Sequence, residues 1–349
     1  MLLTVSCGGS AAPKDHATPH NASTSSTPTA GASSPAPTRA ASSDAGSTAR
    51  APDAGHGAGV RSDAGPSLDA AQAPDAAHPA SDAGGAAQAC PGAKPDATNT
   101  GVPATTKLTV VSQDITVSQD NTTIEAQDIH GFLTIKASHV KVLRSIVRGH
   151  ATSATTAIIR IDSGTDILIE DTEVAAAEPS VDVDGVSGGS FTARRLNIHG
   201  GVDGMKLGTG ARVECSYIHD LASFASDPNQ SGGATHNDAI QILAGTDIQI
   251  IGNQLVAAKD QNSAIQITQD FGKVGNVHIE HNWADGGGCT FNISHKGAAS
   301  LTDIFTTGNR FGRNSFYDCP ILESTKTTLT STGDVWDDND MQVPIQTHD

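Results

Sequence analysis

The sequence is poor in aromatic side chains, in positive charge and in long apolar runs, and each shortage removes a class of function. Of 349 residues only 2 are Trp, 2 Tyr and 8 Phe, which leaves few ring platforms for stacking sugars. Lys and Arg number 21 against 38 Asp and Glu, a net charge of −17. A nucleic-acid-binding surface needs the opposite balance, and a polyanionic ligand would need a bridging cation. No apolar run reaches the roughly 18 residues that a membrane-spanning helix takes. The 5 cysteines lack metal-site spacing, and there is no zinc motif, phosphate-cradling loop, dinucleotide fingerprint or nucleophile elbow with a usable triad.

What is there falls into two textures. Residues 8–105 are almost entirely Ala, Ser, Thr, Pro, Gly and Asp, with a loose repeat (SSDAG, APDAG, RSDAG, APDAA, ASDAG). Such a segment buries too little apolar surface to offset chain entropy and reads as a disordered tether. Residues 106–349 carry 16 Lys and Arg against 30 Asp and Glu, and are long enough for one substantial core. The first residues, MLLTVSCGGS, resemble the end of a bacterial lipoprotein signal, with residues 1–7 as its remnant and Cys7 as the lipidated residue. The expectation is an exported monomer, lipid-anchored at the cell envelope or extracellular, that meets the membrane only through Cys7.

From residue 106 one phrase recurs: HVKVLRSIV, DILIEDTEV, FTARRLNI, ARVECSYI, DIQIIGNQL, NVHIEHNWA and DIFTTGNRF, ending at 147, 174, 198, 218, 255, 284 and 311. Most steps are 20–29 residues and one is 37. That period, with two-residue alternation inside each phrase, is the mark of stacked β coils. A second strand follows each phrase: AIIRID (157–162), SVDVDG (180–185), DGMKLG (203–208), DAIQIL (238–243), SAIQIT (263–268) and CTFNIS (289–294). The fold class is all-β, a single-stranded right-handed parallel β-helix preceded by the tether. Asn253, Asn282 and Asn309 share one position of the first phrase, where stacked amides satisfy buried backbone groups.

The runs ARRLNIHGGVDGMKLG, VECSYIHDL, HNDAIQI and ITQDFG, with CPGAKPDATNTGVP at the domain's entry, resemble bacterial right-handed parallel β-helix proteins of the pectate-lyase-like superfamily. The resemblance covers about residues 90–320. It implies a solenoid of that type, secretion, and membership of a group that holds polysaccharide lyases, hydrolases, epimerases and members without known activity; fold alone does not choose among them. In the resembling proteins a cysteine often stands where this chain has Phe132, which implies that Cys90 lacks its usual partner.

Parity sorts the second strands. In DAIQIL the aliphatic Ile240 and Ile242 face the core, so Gln241 faces out. The same register puts Arg160, Asp182, Lys206, Gln241, Gln266 and Asn292 in one outward polar column, one group per coil at a spacing of about 4.8 Å, close to a sugar unit. The step of 37 marks an enlarged connection, residues 221–237, the kind of loop in which sites are built. His199 and His219 follow equivalent Ile residues of adjacent coils, and His236 closes the loop. Asp238 shares its turn position with Asp203, Ser263 and Cys289 and reads as a backbone cap. Cys289 and Cys319 occupy equivalent positions of consecutive coils, where either a disulfide or two stacked thiols fits.

These residues support a polysaccharide-active reading. The leading form is β-elimination on a uronic-acid polymer: Lys206 as base through a desolvated amine, His219 or His236 transferring protons, and Arg160, Asp182, Gln241, Gln266, Asn292 and His199 binding the chain. Calcium, held by Asp182, Asp184, Asp203 and Asp220, is the candidate cofactor. The alternatives are a non-catalytic, surface-tethered glycan-binding or structural β-helix, a glycoside hydrolase, or a uronate epimerase that shares the lyase's first step.

Overall fold

The computed structural model describes residues 90, 94–258, 262–296 and 299–348. Cys7, the signal remnant 1–7 and the tether up to residue 89 lie outside the described residues. The chain coils through three parallel sheets of ten, ten and nine strands, in which each strand pairs with its equivalents one coil before and one coil after. This is a parallel β-helix. The helix among the described residues is a single 3-10 turn, Pro228–Gln230.

The recurring phrase has a structural meaning. Its first half is a strand of the nine-stranded sheet, as in Lys141–Leu143, and its second half a strand of the first ten-stranded sheet, as in Ile146–Val147. Between them one residue adopts positive φ, coil after coil: Arg144, Asp171, Arg195, Cys215, Gly252, His281 and Gly308. The left-handed residue turns the chain within two positions and points the next residue inward. That next residue carries the ladder: the Asn253 N–H donates to Asn282 Oδ1 at 2.9 Å, and the Asn282 N–H to Asn309 Oδ1 at 3.0 Å. Their Nδ2 groups donate to Val213 O, Ile250 O and Ile279 O of the preceding coils at 2.8–3.0 Å. All three side chains are fully buried. Ser216 continues the ladder below them and Asp334 ends it above.

The second ten-stranded sheet supplies a core column of Leu133, Ile159, Val186, Met205, Ile240, Ile265, Phe291 and Ile321, in register from coil to coil and fully buried. Burying each such side chain stabilises the fold by about 1.5–3 kcal/mol, so a one-residue slip is costly at every coil.

Three sequence expectations need correction. Within residues 94–105, placed in the tether, the chain packs on the coils at positions 100 and 101: Gly101 N–H donates to Arg195 O at 2.8 Å, and Thr100 is buried. Cys90 does have a partner: it is bonded to Cys215, with Cα atoms 5.5 Å apart, so the absence of a cysteine at 132 is met by a cysteine in the left-handed turn. Gly252, one coil further, leaves room for it, since a Cβ there would lie 2.5 Å from Cys90 Sγ. Finally, the strand expected at 180–185 runs Val183–Gly188. Cys289 and Cys319 are joined, with Cα atoms 4.7 Å apart.

Candidate active site

The slip of that one strand changes the site. The outward column is Arg160, Ser187, Lys206, Gln241, Gln266 and Asn292. Ser187 stands where Asp182 was expected, and Asp182 lies in the turn before the strand. Its carboxylate accepts from Thr155 Oγ1 and from Asn229 Nδ2, both at 3.2 Å.

At the start of these strands three aspartates stack in successive coils, because Val186 pairs with Met205 and Met205 with Ile240. Asp184 Oδ1 accepts the Asp203 N–H at 3.3 Å, and Asp203 Oδ1 accepts the Asp238 N–H at 2.8 Å. Asp238 itself takes side-chain donors: Ser263 Oγ at 2.8 Å, Gln241 Nε2 at 3.0 Å and Asn262 Nδ2 at 3.2 Å. The backbone-capping role expected of Asp238 thus belongs to Asp184 and Asp203, and Asp238 is the buried end of the row.

Each of the first two aspartates turns its other oxygen to Lys206, whose Nζ is 2.7 Å from Asp184 Oδ2 and 3.1 Å from Asp203 Oδ2. The lysine side chain is 35% exposed, the carboxylates 8% and 4%. Burial works against the ammonium, but attraction to Asp203 and Asp184 outweighs it and raises the Lys206 pKa. The expectation that desolvation would make Lys206 a neutral base is therefore overturned: it is a fixed cation. Burial raises the pKa of Asp184, and burial with the neighbouring Asp238 and Asp184 carboxylates raises Asp203 well above the usual carboxylate range. Asp238 is pushed up to about 6, chiefly by burial.

Asp184, Asp203 and Lys206 form the floor of a cleft of about 360 Å³. The enlarged connection makes one wall. Asp227 caps its 3-10 turn by accepting from Asn229 N, and buried Asn237 ties its end to Val202 O at 2.9 Å. Asn229, Gln230 and exposed His236 line the cleft from this side. Leu243, Asp270 and Lys296 also line it, with Lys296 Nζ 2.8 Å from Asp270 Oδ2.

The structure brings together Lys206, His236, Gln241, Asp182, Asp184 and Asp203 around this cleft. It does not bring His199 or His219, which belong to the first ten-stranded sheet. Their ring centroids are 5.3 Å apart, so they do stack, but His219 also stacks on Tyr217 at 3.9 Å and bonds Asn197 and Asp220. His199 is engaged with Glu173. Arg160 pairs with Asp162, and Gln266 Oε1 accepts from Asn262 and Ser263. Neither these two nor Asn292 lines the cleft.

The calcium set does not converge. Asp220 is with His219 on the other sheet, and the Lys206 ammonium occupies the place between Asp184 and Asp203 where a cation would sit. Among the described residues no group of three or more His, Cys, Asp or Glu side chains is arranged to hold a metal ion. The acid pair had a sequence signal: VDGV at 183–186 and VDGM at 202–205 align only if the earlier strand starts three residues later than SVDVDG. No protein-family model, no curated protein and no solved structure matches the chain.

Proposed function

We propose that the protein cleaves glycosidic bonds of a polysaccharide laid along the outward face of the second ten-stranded sheet. Asp203 acts as general acid, Asp184 as the partner carboxylate and Lys206 as a fixed cation. The observation that carries this reading is the pair of buried carboxylates from successive coils held on one lysine at the floor of a cleft. Burial raises the Asp203 pKa well above the usual carboxylate range, and a carboxyl that keeps its proton can donate it to the leaving oxygen. Burial raises its neighbour Asp184 as well, and the Lys206 ammonium opposes that shift, so that in its ionised form Asp184 can act as nucleophile or base. Coil stacking at about 4.8 Å is close to the separation of about 5 Å that suits double displacement. A parallel β-helix is compatible with a polysaccharide-active enzyme.

Five aspartates and two lysines line the cleft. That balance favours a neutral glycan over the uronic-acid polymer expected from the sequence. Elimination on a uronate remains the second reading, because Lys206 could neutralise the substrate carboxylate and His236, which lines the same cleft, could remove the proton. Two disulfides support export to an oxidising compartment, in keeping with Cys7 as anchor.

The test is incubation with neutral and uronic-acid polymers, following reducing ends and ultraviolet absorbance together. New reducing ends without an ultraviolet product support hydrolysis, and an unsaturated, absorbing product transfers the reading to elimination. No product from any polymer removes both and leaves the non-catalytic, glycan-binding or structural protein.

A further inference from the structure

Next in sequence to Asp270, which lines the cleft, stands an exposed aromatic residue. Phe271 is 81% exposed, the most exposed of the large hydrophobic side chains in the described residues. Its exposure is not that of a slack loop. The Phe271 N–H donates to Leu243 O at 3.1 Å, and Asp270 beside it accepts from Thr268 Oγ1 at 2.9 Å and from Lys296 Nζ at 2.8 Å. Gln269 Nε2 donates to Ala299 O at 2.6 Å, and Gln269 Oε1 accepts the Val274 N–H at 3.3 Å. The turn is braced on both sides of the ring, and two of the residues that brace it, Leu243 and Asp270, line the cleft.

We infer that Phe271 is a sugar-stacking residue, forming a binding subsite continuous with the cleft and filled by a pyranose ring of the polymer. The inference rests on the glycan-cleaving reading above and adds where the chain runs. Phe271 follows the strand Ser263–Ile267, which is two coils beyond Met205–Leu207. Two coil spacings are roughly 10 Å, so along the axis of the coils the strand leading to Phe271 lies about two sugar units beyond Lys206. A pyranose offers a C–H face to an aromatic ring and hydroxyls at its edge. The outward Gln241, between Phe271 and Lys206 in the coil order, can take those hydroxyls. In a chain with so few aromatic residues, an exposed ring fixed beside a polar cleft has the form of a ligand contact.

The experiment is affinity electrophoresis of the full chain through gels containing xylan, hydroxyethyl cellulose, glucomannan, chitosan, pectate or alginate. It compares the natural protein with Phe271→Ala, Phe271→Trp and, as a control away from the cleft, Phe316→Ala. The expected result is retardation by at least one polymer, weakened about tenfold in Phe271→Ala, as loss of a buried aromatic contact predicts, and kept in Phe271→Trp and Phe316→Ala. Equal retardation of the natural protein and Phe271→Ala overturns the subsite and leaves the glycan reading standing. Absence of retardation of the natural protein by every polymer overturns both.

Discussion

The ammonium of Lys206 stands 2.7 Å from the carboxylate of Asp184, and this pair decides what the cleft can do. With Asp203 as the second partner at 3.1 Å, the lysine cannot serve as a base, while the carboxylates around it are pushed toward their protonated forms by burial. In the proposed reading the aspartates carry the acid chemistry and the lysine is a permanent charge.

Lys206→Met leaves Asp184 and Asp203 buried without their cation. Breaking a fully buried pair costs about 3–5 kcal/mol; since Lys206 is 35% exposed, about 2 kcal/mol is expected at neutral pH. The cost shrinks toward pH 4, as the carboxyls, whose pKa values burial raises, take up protons. Urea unfolding at the two pH values checks this, and an equal loss at both would contradict it.

The pH dependence of Asp238 has a defined sign. Its folded pKa, about 6, is above its ordinary value of 3.8. Its contribution to stability is therefore fully present below pH 3.8 and is lost as pH rises through about 6. Asp184 and Asp203, raised in the same direction, add to the trend. The stability of Asp238→Asn relative to the natural protein should rise across that window, and carboxyl-carbon NMR should show Asp238 titrating near 6. A titration at its ordinary value would refute the buried-row account.

Asn282→Ala removes the acceptor of the Asn253 N–H and the donor to Ile250 O. Each buried group left unpaired costs about 1–3 kcal/mol, so a loss of about 3 kcal/mol is expected in denaturant unfolding. A loss below about 1 kcal/mol would mean that relaxation or water replaces the ladder.

How much of this was legible follows from parity. Two-residue alternation places Ile240 inward and Gln241 outward in any β coil, so the coil architecture, the Asn ladder and most of the outward column could be read from spacing alone. The strand at Val183–Gly188 could not, because in SVDVDGVSGG both phases alternate and glycine gives no preference. That slip hid Asp184 from the row of Asp203 and Asp238, and put Asp182 in the outward column in the place of Ser187. The contacts of Lys206 were hidden for a different reason. Spacing shows that a lysine points outward, but whether desolvation or neighbouring carboxylates wins depends on distances of 2.7 and 3.1 Å. The Cys90–Cys215 link, 125 residues apart in sequence, is likewise a matter of where the entry segment crosses the coils.

That link gives a further prediction. Cross-linking over more than 100 residues stabilises by about 5 kcal/mol in the chain-entropy account. Cys90→Ala with Cys215→Ala should lower stability by that order. It should also raise hydrogen exchange at Thr100 and Gly101, whose segment the bridge holds against Arg195. Unchanged exchange there would show that the contacts of residues 94–101 suffice.

The most direct measurement is turnover by Asp203→Asn on a polymer from which the natural protein is found to release product, together with binding of that polymer and the circular dichroism of the variant. The account predicts a fall of about 10²–10⁴-fold in turnover, with β-structure and binding retained. Full turnover by Asp203→Asn would contradict it, and the chemistry would then have to be sought outside the Asp184–Asp203–Lys206 group.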